Sequence, residues 1–232
     1  MIADPHCHTL ASDGMVSPGE LIAAAAAARL DLIAVTDHDT MASVREALSL
    51  ARDSGVSVVP GQEITTRWPA QTHIVGWFLE KPIRAGMSVE DTVDAIHAQG
   101  GLAIVPHPFM PTYFASMQPE MLRRLLDKHA VDGIEMITTA PQGSRRRRRL
   151  EAFYAVHGER LGAAIGASDC HFGAHDIGCA ITQFDGDFRA AVVARATTPR
   201  RVRAAHIPMG VAARQQWRSL VELPMRRLRG DL

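Results

Sequence analysis

The sequence predicts a single-domain α/β barrel, and two observations carry that expectation. Short apolar runs alternate with longer segments of helical pattern along most of the chain, which argues for a parallel sheet with helices outside it. A length of 232 residues is long for an ordinary small domain yet fits one barrel around one core.

Seven runs read as strands: Ile2–Pro5, Leu32–Thr36, Val56–Pro60, His73–Leu79, Leu102–Val105, Gly133–Ile137 and Leu161–Gly166. Helical patterns fall at about 18–30, 41–54, 88–99, 118–129, 144–157 and 187–195. Ser17-Pro18 and Ser88 can start their helices by satisfying free amides of the first turn. The six alanines Ala23–Ala28 predict a helix lying close on the sheet, given their helix propensity. No helix separates the third and fourth strands, so strict alternation fails there. No internal repeat or Gly/Ser/Pro-rich linker interrupts the chain.

With 47% hydrophobic and 22% charged residues, the composition excludes disordered and fibrous classes. The three cysteines form neither a CxxC pair nor an even set, so neither a disulfide framework nor a thiolate zinc site is predicted. No leader pattern and no apolar run long enough to span a bilayer is found, so a cytoplasmic protein without a transmembrane segment is expected. The formal net charge is zero, but residues 200–232 hold eight Arg against Glu222 and Asp231. Residues 1–200 are read as the catalytic domain and 201–232 as a basic C-terminal extension. The stripe of Trp217, Leu220, Val221 and Leu223 predicts that this extension packs on the barrel's exterior, with a membrane-surface or partner helix the alternative. Arg145–Arg149 open a predicted helix and would point several ways round it, as a solvated face does.

Residues that bind metals recur at the C-terminal ends of the strands. His6 and His8 end the first, Asp37, His38 and Asp39 the second, Glu63 the third and His107 the fifth, and Asp169 and His171 follow the seventh. In a parallel barrel those ends converge on one mouth. Strand alternation puts His6 and His8 on one face and Asp169 and His171 on one face, leaving Cys7 and Cys170 to pack behind them. Six of the eleven histidines meet there if His73 joins. Burying six imidazoles with Asp13, Glu63 and Asp169 is very costly without cations. Mixed imidazole and carboxylate donors suit manganese, iron or zinc rather than calcium or magnesium. Of the other histidines only His175, four residues beyond His171, is a candidate, for substrate binding or proton donation. Arg67 is a candidate phosphate clamp or a surface arginine without a task. Asp37 and Asp39 are candidates to orient ligand imidazoles, with helix capping the alternative for Asp39.

Five segments in order resemble the PHP (polymerase and histidinol phosphatase) family. They are Asp4-Pro5-His6-Cys7-His8 with Ser12-Asp13-Gly14, Thr36-Asp37-His38-Asp39-Thr40, and Pro60-Gly61-Gln62-Glu63-Ile64 with His73-Ile74-Val75-Gly76. Pro106-His107-Pro108 and Gly166-Ala167-Ser168-Asp169-Cys170-His171 complete the set. The resemblance implies a distorted seven-stranded, TIM-like β/α barrel holding two or three divalent ions. It implies that His6, His8, Glu63 and Asp169 hold a first ion, that Glu63 bridges to a second held by His73 and His107, and that Asp13, His38 and His171 hold a third.

The expected activity is hydrolysis of a phosphate ester by metal-activated water, with a small phosphorylated substrate, and with Glu63, Asp169 and His175 at the chemistry. An amidohydrolase, a nuclease or a non-catalytic metal-binding module are the alternatives, and the basic extension keeps a nucleic-acid substrate open. Family members acting on nucleotides carry an inserted segment over the site, whereas only 33 residues separate His73 from His107. The mouth is therefore expected to be uncapped and tolerant of many leaving groups.

Overall fold

The computed structural model describes residues 1–68, 71–111, 115–139 and 143–225. Its sheet has nine strands: β1 (Ile2–Cys7), β2 (Leu32–Val35), β3 (Ser57–Thr65), β4 (His73–Trp77), β5 (Leu102–Val105), β6 (Gly133–Ile137), β7 (Ala163–Gly166), β8 (Ala180–Gln183) and β9 (Thr198–Arg201). The spatial order is β7-β6-β5-β4-β3-β2-β1-β8-β9. The expected α/β class and all seven anticipated strands are present, while two added strands and mixed pairing correct the seven-stranded parallel picture. β3–β4, β4–β5, β1–β8 and β8–β9 are antiparallel. The β3–β4 pair is antiparallel because its short connection cannot make the long crossover that a parallel pair needs. The sheet curls towards closure where Thr182 on β8 reaches β7: Gly166 N donates to Thr182 Oγ1 at 3.0 Å, and that hydroxyl donates to Gly166 O at 2.8 Å.

Among the described residues seven α-helices accompany it: α1 (Pro18–Ala27), α2 (Val44–Ala51), α3 (Val89–Ala98), α4 (Pro119–Lys128), α5 (Ser144–Leu161), α6 (Phe188–Val193) and α7 (Met209–Trp217). Ser17 and Glu20 close a capping box on α1, with Pro18 in the first turn. Ser88 accepts from Asp91 N at 3.0 Å at the start of α3. One face of the alanine helix, Leu21, Ile22 and Ala25, packs with Cys7, Ile33 and Cys170. A second apolar layer of Leu32, Val75, Trp77, Ile104 and Ile165 fills the space against α6. There Trp77 Nε1 donates to Pro5 O at 2.9 Å, so the buried indole keeps its hydrogen bond. Among the described residues no helix is long and apolar enough to cross a membrane.

Candidate metal centre

The strand ends deliver the nine anticipated donors to one place. A register shift on β1 between Asp4 and Cys7 re-aims the strand end, as bulges beside active sites do. His6 and His8 turn inward there, and their Nε2 atoms stand 3.0 Å apart. Between them and Gly14 the chain folds back so tightly that a Cβ on Gly14 would lie 2.6 Å from the His8 carbonyl carbon. That close approach requires glycine at this position and brings Asp13 to the cluster. Asp169 and His107 are held with φ of 55° and 29°, a region that costs a non-glycine residue energy and that clusters at functional sites.

Glu63 sits at the centre, fully buried. Its Oε1 lies 2.7 Å from His73 Nδ1 and 3.0 Å from His107 Nε2. Its Oε2 lies 3.1 Å from His6 Nε2, 3.2 Å from His8 Nε2 and 3.3 Å from His38 Nδ1. Asp169 Oδ1 is 3.5 Å from His6 Nε2 and 3.4 Å from His8 Nε2. On the far side of His8, Asp13 Oδ1 is 3.2 Å from His171 Nε2 and 3.7 Å from His38 Nε2. Three donor sets result, each with its atoms within 4.8 Å of one another: His6, His8, Glu63 and Asp169; His8, Asp13, His38 and His171; and His38, Glu63 and His73.

These residues fit metal ions. Donors about 2.1 Å from a shared ion stand about 3.0 to 3.4 Å apart, octahedral to tetrahedral, which is the spacing found around Glu63 and Asp169. Asp13 Oδ1 and Asp169 Oδ1 are buried without a hydrogen-bond partner, an arrangement that costs free energy unless a cation takes their lone pairs. Burial alone would raise the Glu63 carboxyl, but the imidazoles around it, His73 foremost, hold it well below the usual carboxylate range. Burial pushes the His38 imidazole down to about 3, so its ring is neutral and its lone pair free for coordination.

Some anticipated residues stand elsewhere. His175 lies on a 3-10 turn, Gly173–His175, with its side chain exposed. Its carbonyl accepts from Arg203 Nη1 at 3.1 Å, and it is outside the donor sets, so the placement does not support proton donation. Arg67 is exposed and lines a separate surface cavity with Trp68 and Ser88, which does not support a phosphate clamp at the centre. Asp37 touches no imidazole. It accepts from Thr9 N and Thr9 Oγ1, both at 2.7 Å, from Ser12 Oγ at 2.6 Å, and from Ser43 Oγ, which pins the loop carrying Asp13. Asp39 caps no helix. Its Oδ1 accepts from Thr65 N at 2.8 Å, tying the second strand end to the third. Burial pushes the Cys7 thiol up to about 11 and the Cys170 thiol well up too, so both remain packing residues rather than thiolate ligands.

Glu135 is the functional residue that sequence reasoning missed. Its Oε1 lies 2.7 Å from His6 Nδ1 and its Oε2 accepts from His107 N at 2.7 Å, so one carboxylate orients two donor residues. The available signal was a lone acid in the apolar run Gly133–Ile137. Among Arg145–Arg149, Arg146 departs from the expected solvated face. It is buried and donates from Nε to Pro108 O at 2.8 Å, beside His107.

The C-terminal extension packs on the mouth rather than on a remote face. Gln215 on α7 is buried and donates from Nε2 to Asp13 Oδ2 at 3.1 Å. In the π-helical turn that follows, Arg218 Nη2 donates to Leu10 O at 2.7 Å and its Nε to Ser12 O at 3.1 Å. Residues 226–232 of the extension lie outside the described residues.

Comparison with known proteins finds similarity in sequence and in fold. A 5'-3' exoribonuclease of Haemophilus influenzae is 43% identical over 79 residues, 34% of this chain and 29% of that protein. A 3',5'-nucleoside bisphosphate phosphatase of Chromobacterium violaceum is 40% identical over 74 residues, 32% of this chain and 26% of that protein. The matched segment thus spans less than a third of either relative. A two-domain protein of Bacteroides vulgatus, containing a predicted PHP-like metal-dependent phosphoesterase, shares the fold with a TM-score of 0.70 at 21% identity, over 87% of this chain and 64% of that one. The profile of the PHP domain matches residues 4–172, a span that holds all nine clustered donors, and the chain belongs to the PHP domain family.

Proposed function

We propose that the chain is a metal-dependent phosphoesterase that hydrolyses a phosphomonoester or a cyclic phosphodiester of a small molecule or nucleotide. The observation that carries this reading is the split of Glu63, whose Oε1 faces His73 and His107 while its Oε2 faces His6 and His8. A carboxylate so placed joins two donor sets, and Asp13 with His38 and His171 offers a third. When bound, two or three ions of manganese, iron or zinc supply an acidified water and neutralise charge on the phosphate.

The chain's own residues do the rest. Glu63 and Asp169 keep negative charge among the imidazoles, so several cations can sit close together. Glu135 fixes the ring of His6 and the backbone of His107, and Asp37 fixes the loop that presents Asp13. Preorganised donors of this kind spare the reaction the cost of reorganising charge. The names of the Haemophilus and Chromobacterium relatives favour a nucleotide or oligonucleotide substrate.

The test is a panel of phosphomonoesters, cyclic and linear phosphodiesters and an amide, with added Mn²⁺, Fe²⁺ or Zn²⁺. Metal-dependent release from a phosphate ester is expected. Turnover of the amide alone, or of nothing in the panel, contradicts the proposal.

A further inference from the structure

The extension does more than cover the mouth, because it divides it. On one side of the π-helical turn a cavity of about 230 Å³ lies over Asp13, His38 and His73. On the other side a cavity of about 680 Å³ reaches Asp13, Asp169 and His171. Ser219 lines both. The larger one has the volume of a small-molecule site, and much of its wall comes from residues 201–220. Its surface is mixed: Phe172, Ile207 and Leu220 are apolar, while Gln215, Gln216 and Arg201 are polar. A flat ring can rest on the first group while its hydrogen-bonding edge meets the second, which is how unstacked bases are held.

The segment is also attached as a movable part would be. Gln215 is the only buried residue of α7, and the π-helical turn has none. Arg203 anchors the start of the segment on the carbonyls of Ala174, His175 and Ile177, whereas its helical part is tied to the body through Gln215 to Asp13 and Arg218 to Leu10 and Ser12, with Leu223 as its one buried apolar side chain. Elements with so few buried apolar contacts open at low free-energy cost. Gln216 Nε2 donates to Gln215 Oε1 at 3.0 Å, so a polar chain runs from the larger cavity to Asp13.

We infer that residues 202–225 form a cap in cis that builds the leaving-group pocket, and that this pocket takes a ring-sized group such as the nucleoside of a nucleoside monophosphate. The inference rests on the proposed phosphoesterase reading for its chemistry and replaces the tolerant, uncapped mouth that the sequence led us to expect.

The experiment uses the full chain loaded with Mn²⁺. Trypsin cleavage after Arg214 and Arg218 is followed by mass spectrometry, with AMP or with inorganic phosphate present. A ligand that binds only the closed form, at ten times its Kd, slows cleavage about tenfold. AMP is expected to protect these two sites by about that factor, and phosphate by less than about twofold at the same concentration. Ala205→Trp, which puts a large ring on the wall of the larger cavity, is expected to remove the AMP protection. The same variant is expected to lower kcat/KM for AMP at least about tenfold, chiefly through KM, and to leave glycerol phosphate within about twofold. Equal protection by AMP and phosphate, or equal loss on both substrates, overturns the cap. AMP protection in a protein that hydrolyses no phosphate ester supports the cap and sinks the phosphoesterase reading instead.

Discussion

Glu135 and His6 stand 129 residues apart in sequence, yet Glu135 Oε1 lies 2.7 Å from His6 Nδ1. With a proton on Nδ1 directed at this carboxylate, Nε2 is left with its lone pair towards Glu63 and Asp169. Glu135→Gln is therefore expected to weaken metal binding about 10- to 100-fold, the usual loss when such a partner is removed. Titration of the metal-free protein checks this, and unchanged affinity would mean that His6 is held by other means.

Asp37 holds the loop from Thr9 to Ser12 with hydrogen bonds from Thr9 and Ser12 and is tied to Ser43 as well. Asp37→Ala leaves those donors unsatisfied in a buried place. A stability loss of about 2 to 4 kcal/mol is expected, read by denaturant unfolding of the metal-free protein. A loss below about 0.5 kcal/mol would mean that water replaces the carboxylate.

The cysteines give a prediction about pH. Burial raises the Cys7 thiol to about 11, so at pH 8 only about one molecule in a thousand carries that thiolate, against roughly a quarter for a free cysteine. Thiol reagents at pH 8 are expected to leave Cys7 and Cys170 unmodified in the native protein and to modify all three cysteines after denaturation. Rapid native labelling of Cys7 would place it in contact with solvent or metal.

Much of this was legible because ligand chemistry and strand ends coincide in the chain. His6, His8, Glu63, His107 and Asp169 close apolar runs, and a barrel brings run ends together. Glu135 was harder to see because it lies inside a run rather than at its end, where a lone acid reads as an interruption. β8 escaped because its four residues, Ala180–Gln183, mix apolar and polar side chains, and β9 because it carries Pro199 and two arginines, as an edge strand can. The placement of α7 escaped for a different reason. Of the stripe of Trp217, Leu220, Val221 and Leu223 that suggested apolar packing, Leu223 is buried, yet Trp217 and Leu220 are exposed at 62% and 71%. Most of the contacts that seat it are polar, Gln215 to Asp13 and Arg218 to backbone carbonyls, and such contacts have no periodicity to read.

Glu63 is the pivot of the donor sets, so its replacement is expected to cost more than loss of any outlying donor. Glu63→Gln keeps the shape but removes the negative charge at the site's centre. Hydrolysis is expected to fall at least about 10²-fold, and by more than in His38→Ala. A variant that retains full rate and metal content would remove Glu63 from the bridging role.

The central claim is that several transition-metal ions act together in this cluster. Elemental analysis of the purified chain, with phosphate-ester hydrolysis measured on the same sample before and after chelation, tests it most directly. More than one metal equivalent per chain is expected, because one ion with four to six ligands cannot engage all nine donors. Activity should vanish on chelation and return with added metal, whereas a metal-free protein that hydrolyses the ester at full rate would contradict the account.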